Sequence, residues 1–481
     1  MSNSTSSMDQ QSIQSIIGPL IVIVLGMFMV VLDATALNVM VPSLVSDFTS
    51  SYATVQWTIT AYTLAQAAVV PIAGWMTDRF GTKQIFLISI ALFTIGSLLC
   101  ALSVTIEQLI WFRIVQGVGG GMVLPVAFAF TYRIAPPDKQ GAVMGIVTAP
   151  MLLAPALGPV VSGWMIDFIT WHWVFLINIP IGILAVCIGV YKLPKTMKHD
   201  AAPLDKLGMV LSPIAFGGLC FGISEGGNNW GSTSTITGLL VGGVALILFV
   251  FVQLRRKHPL LELRVFRSSN FTQGILVQWV AFLALYGSSF LIPQFLQNAK
   301  GYTAFETGLT MAIEALTSAL VIMFASRLFD KFGARPLAIA GMASVAISAW
   351  IFTLTTPEDG IGKIIIALVL LGTGVGLSMM PINTHLFQSA PKKLSGRISA
   401  LTGAMQQVMS SFAVAGSATL LMTNLSNHLN TGVLKLEAWS LAFGNTFVFI
   451  MSIAITGTIL AMFIRIPQPV LESGKEVSGS Q

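Results

Sequence analysis

The sequence predicts an all-α integral membrane protein with fourteen transmembrane helices, and three observations predict it. Hydrophobic residues fill 54% of the 481 positions and charged residues only 9%, far from the roughly quarter-charged composition of soluble domains. Fourteen apolar stretches each reach the ~20 residues that cross a bilayer as a helix. The charges lie in short gaps between those stretches, and Lys and Arg gather in every second gap, as a polytopic topology requires.

The stretches begin near Ile17, Val55, Gln84, Glu107, Ala142, Trp171, Leu207, Thr235, Phe271, Glu306, Arg335, Gly362, Arg397 and Leu441. No Lys or Arg precedes the first, which is full spanning length, so helix 1 is expected to be retained and not cleaved as a signal peptide. Arg79 and Lys83 follow helix 2, Arg133 and Lys139 follow helix 4, and Lys192, Lys195, Lys198 and Lys206 follow helix 6. Arg255, Arg256, Lys257, Arg264 and Arg267 follow helix 8, Arg327, Lys331 and Arg335 follow helix 10, and Lys392, Lys393 and Arg397 follow helix 12. The tail adds Arg465 and Lys475, whereas the opposite gaps hold only Lys300, Lys363 and Lys435. Basic residues are retained on the cytoplasmic side, so both termini are expected there. The one basic residue left over, Arg113, lies inside helix 4.

Other classes are excluded by what the chain lacks. Cys100, Cys187 and Cys220 fall within predicted helices without metal or redox spacing and read as core packing. The basic pI is accounted for by the cytoplasmic loops and does not indicate nucleic acid. The five histidines, His172, His199, His258, His385 and His428, are dispersed, with no partner at metal-ligand or catalytic spacing. No phosphate-binding G-x-x-x-x-G-K-[ST] loop occurs, and no soluble segment is large enough for an ATPase or a sensor output domain. The expectation is therefore neither enzyme nor nucleotide-driven pump, with no cofactor.

An internal duplication is visible. Gly74-Trp75-Met76-Thr77-Asp78-Arg79-Phe80-Gly81-Thr82-Lys83 after helix 2 is echoed by Ser326-Arg327-Leu328-Phe329-Asp330-Lys331-Phe332-Gly333-Ala334-Arg335 after helix 10, at an offset of 252. Ala135, Pro136 and Gly141 are echoed by Ala390, Pro391 and Gly396 at an offset of 255. Two six-helix repeats would put the second copy after helix 8, so two helices are inserted, an even number because both loops are basic. The expected organisation is a tail over 1–16, a six-helix bundle over 17–193, a linker with inserted helices 7 and 8 over 194–265, a second bundle over 266–465, and a tail over 466–481.

These residues resemble those of a known family. Gly74, Asp78, Arg79, Gly81 and Lys83 resemble the helix 2 to 3 loop signature of the major facilitator superfamily, and Arg113, Gln116, Gly117, Gly119 and Gly120 its helix 4 motif. Ala154-Pro155-Ala156-Leu157-Gly158-Pro159-Val160-Val161-Ser162-Gly163 is similar to the helix 5 motif associated with antiporters. Leu32-Asp33-Ala34-Thr35-Ala36-Leu37-Asn38-Val39-Met40-Val41-Pro42 resembles the helix 1 signature of fourteen-helix drug:proton antiporters of the EmrB/QacA type. Trp57, Tyr62 and the run Trp171 to Pro180 extend the likeness over nearly the whole chain. Departures are Thr82 where a basic residue is usual, Ala154 and Ser162 for glycine, and His172 for arginine. The resemblance implies the fold of two six-helix bundles plus two helices, in a bacterial plasma membrane. It implies a proton-coupled multidrug efflux antiporter exporting hydrophobic or cationic compounds. A dedicated exporter of one metabolite, lipid or peptide is the alternative, and proton-coupled uptake a third. An adaptor protein is compatible with this reading but is not indicated.

Candidate site residues follow from cost. An ionisable side chain at mid-helix costs about 3 kcal/mol on the insertion scale and tends to face a cavity or a partner. Asp33 lies about eight residues, or ~12 Å, from the predicted outer end of helix 1, and Arg113 about six residues, or ~9 Å, into helix 4 from the same side. One reading is a static ion pair; the other is a titrating Asp33 whose balance changes during alternating access. Glu314, ~12 Å deep in helix 10, would carry a proton or attract a lipophilic cation, or else be a neutral hydrogen-bonded glutamate. Glu107 and Glu225 sit near helix ends and are weaker candidates. Pro155, Gly158, Pro159 and Gly163, with Pro150 and Gly145, read as a bendable, closely packed seam or as ordinary membrane-helix composition. Asp78 could latch the cytoplasmic side on a basic partner or a helix end of the other bundle, while Arg79 and Lys83 set topology. Gln56, Trp57, Tyr62, Gln278, Trp279, Tyr286, Gln294, Asn383 and Gln406, with His385 and Gln407, mix polar and aromatic groups within apolar runs, as a cavity for varied amphipathic solutes would.

Overall fold

Hydrocarbon leaves backbone amides no partner but each other, so a chain this apolar must fold as helices. The computed structural model describes residues 16–135, 140–194, 205–226, 229–257, 259–389, 395–430 and 434–464, and among them all regular structure is helical. The tails before Ile16 and after Ile464, most of the basic stretch after helix 6, and the loop echo at Pro136, Ala390 and Pro391 lie outside the described residues.

In chain order the helices are α1 Ile17–Asp47, α2 Tyr52–Phe80, α3 Thr82–Ala101, α4 Ile106–Ile134, α5 Gln140–Phe168, α6 His172–Lys192 and α7 Lys206–Gly226. There follow α8 Thr233–Arg255, α9 Ser269–Asn298, α10 Ala304–Phe332, α11 Ala334–Thr353, α12 Ile361–Gln388, α13 Ser395–Asn430 and α14 Lys435–Ala461. Thirteen spans within them are long and apolar enough to cross a membrane, and the apolar stretch Leu153–Phe168 of α5 is shorter. The chain is a multi-pass membrane protein.

Prolines shape the rods and leave carbonyls that other helices use. Pro71 lies in a 3-10 turn, Val70–Ile72, that kinks α2. Pro42 lies inside α1, which runs on to Asp47. A proline cannot donate to the carbonyl four residues earlier, and that carbonyl, Asn38 O, instead accepts from Gln294 Nε2 of α9 at 3.1 Å. Because α1 continues past Pro42, Asp33 is fourteen residues from its end, about 21 Å, deeper than the sequence suggested. The two copies of the basic loop share one backbone device: Gly81 and Gly333 end α2 and α10 with φ of 95° and 75°, a region glycine enters without penalty.

Packing runs within the first six helices and within the last six. α4 packs on α2 and α3, α6 on α1 and α3, α11 on α12 and α14, and α9 on α12, α13 and α14. The main contacts between the sets are α5 with α10, α2 with α13, and α1 with α9, and α1 also touches α10. α7 and α8 pack mainly on each other, with α7 also against α2 and α13. At the end opposite the basic loops one apolar core spans both sets, joining Met40, Leu44 and Phe175 to Phe295, Phe352 and Phe443. At the basic end Phe86 and Phe130 belong to one core and Phe271 and Leu401 to another. One expectation is corrected here: Cys100 and Cys220 are buried, but Cys187 is exposed, on a face of α6 that its neighbours Ile183 and Leu184 also leave uncovered.

Candidate functional site

The site begins with a carboxylate that cannot stand alone in an apolar core. Asp33 is fully buried, and its Oδ2 accepts from Arg113 Nη1 at 2.7 Å. Its other oxygen, Oδ1, accepts from Gln116 Nε2 at 2.9 Å and from Asn178 Nδ2 at 3.1 Å. Three helices of the same set, α1, α4 and α6, thus converge on one carboxylate. Gln116 lies one turn beyond Arg113 on α4; its Oε1 accepts from Arg113 Nη1 at 2.6 Å, and its Nε2 also donates to Ser97 Oγ of α3 at 2.7 Å.

Arg113 is held on its other sides as well. Its Nε donates to Thr58 O of α2 at 3.2 Å, and its guanidinium lies 3.7 Å above the Tyr62 ring, a cation–π stack between two buried side chains. The sheath is built by close backbone approach. A Cβ at Gly117 would meet Tyr62 O at 2.6 Å, and one at Gly96 would meet the Gln116 backbone at 2.6 Å. Breaking such a buried pair by deleting one partner costs about 3–5 kcal/mol.

The antiporter-like helix touches this cluster and the second set at once. A Cβ at Gly158 would lie 2.0 Å from Thr35 Oγ1 and 3.0 Å from Leu32 O, either side of Asp33 on α1. Five residues on, a Cβ at Gly163 would lie 2.3 Å from Ala304 O of α10, and a Cβ at Gly308 would lie 2.2 Å from Pro159 O. Only glycine allows this approach, so α5 is wedged between α1 and α10. Pro155 is half-buried and Pro159 buried in the same stretch.

At the far end of that seam is a pair of contacts that the sequence did not single out. Asp167 Oδ2 accepts from Phe305 N at 2.7 Å and Oδ1 from Ala304 N at 3.2 Å, so a carboxylate of α5 caps the first turn of α10. At the same end Tyr52 Oη donates to Asn298 Oδ1 at 2.7 Å and Gln297 Nε2 to Val39 O at 2.9 Å. With the Gln294–Asn38 bond, five polar links between the sets thus lie beside the shared apolar core.

The helix 2 to 3 loop makes different contacts. Asp78 Oδ1 accepts from Arg133 Nη2 of α4 at 3.1 Å, a partner in its own set rather than the other one. Arg133 Nη1 also donates to Thr82 Oγ1 at 2.9 Å, which gives the unusual threonine a structural use. Lys83 Nζ donates to Val190 O and Leu193 O at the end of α6, both at 2.7 Å. Arg79 is exposed, and nothing lies within 4 Å of a Cβ placed at Gly74.

The remaining candidates are dispersed. Glu314 is half-buried on α10, where its backbone carbonyl sits against Gly372 of α12; no contact joins it to Asp33 among the described residues. Gln56 Nε2 donates to Ser224 Oγ of α7 at 2.9 Å, and the Trp57 ring lies 6.3 Å from Phe221 of α7, so both face the inserted pair. Gln406 Nε2 donates to Tyr286 Oη at 2.7 Å, and Gln278 Nε2 to Asn383 Oδ1 at 3.5 Å. These two pairs are brought together, Gln294 is spent on the Asn38 carbonyl, and Trp279 faces a separate cavity under α8. Glu225 Oε2 accepts weakly from Ser234 Oγ at 3.5 Å between α7 and α8. No group of three or more metal-ligating side chains occurs among the described residues.

A bundle of membrane helices with a buried ion pair wired to a glycine-lined seam defines a class: a membrane transport protein, not an enzyme. The family follows from comparison. The Major Facilitator Superfamily model matches residues 23–414, and the chain belongs to that superfamily. It is 33% identical over 446 residues to the lincomycin resistance protein LmrB of Listeria innocua, covering 91% of this chain and 94% of that one. It is 32% identical over 419 residues to the multidrug export protein EmrB of Haemophilus influenzae, covering 84% of this chain and 82% of that one. Among solved structures, the D-xylose-proton symporter matches with a TM-score of 0.68 at 15% identity, over 95% of this chain and 99% of that one.

Proposed function

We propose that the protein is a proton-coupled multidrug efflux antiporter that exports hydrophobic or cationic compounds across a bacterial plasma membrane by alternating access. In this reading fourteen helices cross the membrane as two six-helix bundles, over 17–193 and 266–465, with α7 and α8 inserted and both termini cytoplasmic. The relatives whose names refer to lincomycin resistance and multidrug export support the solute class.

The observation that carries the coupling is the junction of Asp33 with Gly158. The carboxylate is held by three hydrogen-bonding groups of its own bundle, and the helix turn that bears it is in backbone contact with α5. Protonating Asp33 removes the counter-charge of Arg113 while leaving Gln116 and Asn178 as donors to an acid. That arrangement is less favourable, because a buried guanidinium then has only carbonyls and the Tyr62 face. Relief requires α1 or α4 to shift, and α5, lodged against Leu32 and Thr35, shifts with α1. Its other end bears on α10 through Gly163, Gly308 and the Asp167 cap, so the change reaches the bundle seam. The continuous apolar core and polar links opposite the basic loops correspond to an outer gate that is shut. Glu314, on the far bundle, supplies a second carboxylate for a proton or a cationic solute.

The test is Asp33→Asn in everted vesicles with an imposed pH gradient. Insertion should be retained and proton-driven efflux of a cationic dye abolished. Undiminished dye efflux at equal protein content would refute the coupling role.

A further inference from the structure

A cavity lies away from the seam, under the inserted pair. It measures about 410 Å³ and is walled by Phe216 of α7, Phe249 and Leu254 of α8, Leu263 of the following linker, Trp279 of α9 and Met405 of α13. That size is within the range of small-ligand sites, roughly 300–1,000 Å³. Its lining is apolar, and the one lining side chain with a hydrogen-bond donor is Trp279, whose Nε1 is buried and has no hydrogen-bond partner among the described residues. Buried donors are almost always paired, so an acceptor oxygen brought by an occupant would complete this one.

The cavity has a charged rim. Leu254 is followed by Arg255, Arg256 and Lys257, all exposed, and Leu263 by Arg264, also exposed. Arg264 Nη2 donates to Leu254 O at 3.3 Å and to Arg256 O at 2.7 Å, which ties the cations to the cavity mouth. Arg255 is set over the Phe251 ring at 4.0 Å. Two carboxylates stand nearby, Asp205 at 4.0 Å from Arg256 and Glu262 at 4.0 Å from Arg264, and both are buried. Arg267 adds a fifth exposed cation. Five cations against two buried acids leave a positive rim over an apolar pocket.

We infer that this cavity binds an anionic phospholipid. One acyl chain fills the pocket between α8 and α13, the phosphate rests on Arg255, Arg256 and Lys257, and an ester carbonyl accepts from Trp279 Nε1. A cationic solute fits the walls equally well but is repelled by the rim, whereas juxtamembrane cations attract anionic lipid by about 1 kcal/mol each. The inference needs only a membrane setting and is independent of the transport reading. Its structural consequence is that lipid joins α7 and α8, which otherwise pack mainly on each other, to the C-terminal helices.

The full chain is reconstituted in phosphatidylcholine vesicles containing a low fraction of brominated-chain phosphatidylglycerol or, in parallel, brominated-chain phosphatidylcholine. The Trp279 emission is obtained by difference from Trp279→Phe. The brominated phosphatidylglycerol should quench it more strongly, and Arg255→Gln with Lys257→Gln should lower that preference roughly 25-fold, from two lost cations at about fivefold each. Met405→Phe, which fills the pocket, should weaken quenching by both lipids. Retained phosphatidylglycerol, measured by native mass spectrometry in detergent, provides a readout that does not depend on the tryptophan variant and should fall in the double variant. Equal quenching by the two lipids overturns the inference, as does a preference that survives Arg255→Gln with Lys257→Gln. Displacement of the quencher by tetraphenylphosphonium would assign the cavity to cationic solutes and overturn it as well.

Discussion

Asp167→Asn separates the proposed outer gate from the proposed proton site. The side chain is exposed at the end of α5 and accepts two backbone hydrogen bonds from the first turn of α10, at 2.7 and 3.2 Å. An asparagine keeps one acceptor oxygen and loses the charge and one bond. A charge at a helix N-terminus is worth roughly 0.3–1 kcal/mol at the surface, and one hydrogen bond nets about 1 kcal/mol. Solvent screening reduces the ionic part, so the outward-closed state should lose about 1–2 kcal/mol, a shift of roughly 5- to 30-fold in its population. Folding should be untouched, because nothing buried is altered. Spin labels at Thr170 and Leu309, both exposed, in a background with Cys187 replaced, would report the distance across the gate. The expected result is a longer-distance population in Asp167→Asn that grows further in Asp167→Ala. Identical distance distributions in wild type and both variants would show that the cap does not hold the gate, and would leave the apolar core and the Tyr52, Gln294 and Gln297 links to close it.

Two further outcomes test the rest of the circuit. Gly158→Leu should insert normally but fail to transport, since even a Cβ there would lie 2.0 Å from Thr35 Oγ1 and overpacking costs about 1–3 kcal/mol or more; a surface amount that falls in step with flux would mean a folding defect instead. Glu314→Gln should reduce efflux of cationic dyes by at least tenfold while sparing neutral solutes, and equal losses for both classes would take Glu314 out of solute recognition.

The multi-pass helical fold was readable because hydrocarbon imposes it: composition and span lengths each act on the chain locally. Asp33 and Arg113 were readable for a related reason, since a charge inside a span is too costly to be incidental, and their matched depth suggested contact. Their escorts were harder to find. Gln116 stood out only as part of a motif, and Asn178, 145 positions from Asp33, is an uncharged amide in an aromatic run whose sole signal is polarity where none is needed. Asp167 was missed because an acid at a helix end is unremarkable until the neighbour's backbone is known. Asp78 had a readable charge, but its partner, Arg133, is decided by packing, and so was the fate of Trp279.

The placement of α5 explains why one helix carries so unusual a composition. A rod that must lie against α1 beside the ion pair and against α10 at the gate has two close faces, and close faces require glycine at Gly158 and Gly163. In the proposed cycle it also pivots, and Pro150, Pro155 and Pro159 inside one helix remove hydrogen bonds that would stiffen it. Glycine alone would give proximity without movement, and proline alone would give movement without contact. A bundle in which the contact beside the ion pair and the cap on α10 are nine residues apart along one such rod, from Gly158 to Asp167, ~14 Å at 1.5 Å per residue, can couple them by a small tilt. That requirement predicts that stiffening α5 without crowding it, as Pro155→Ala does, should slow cycling while leaving both the ion pair and the gate contacts in place.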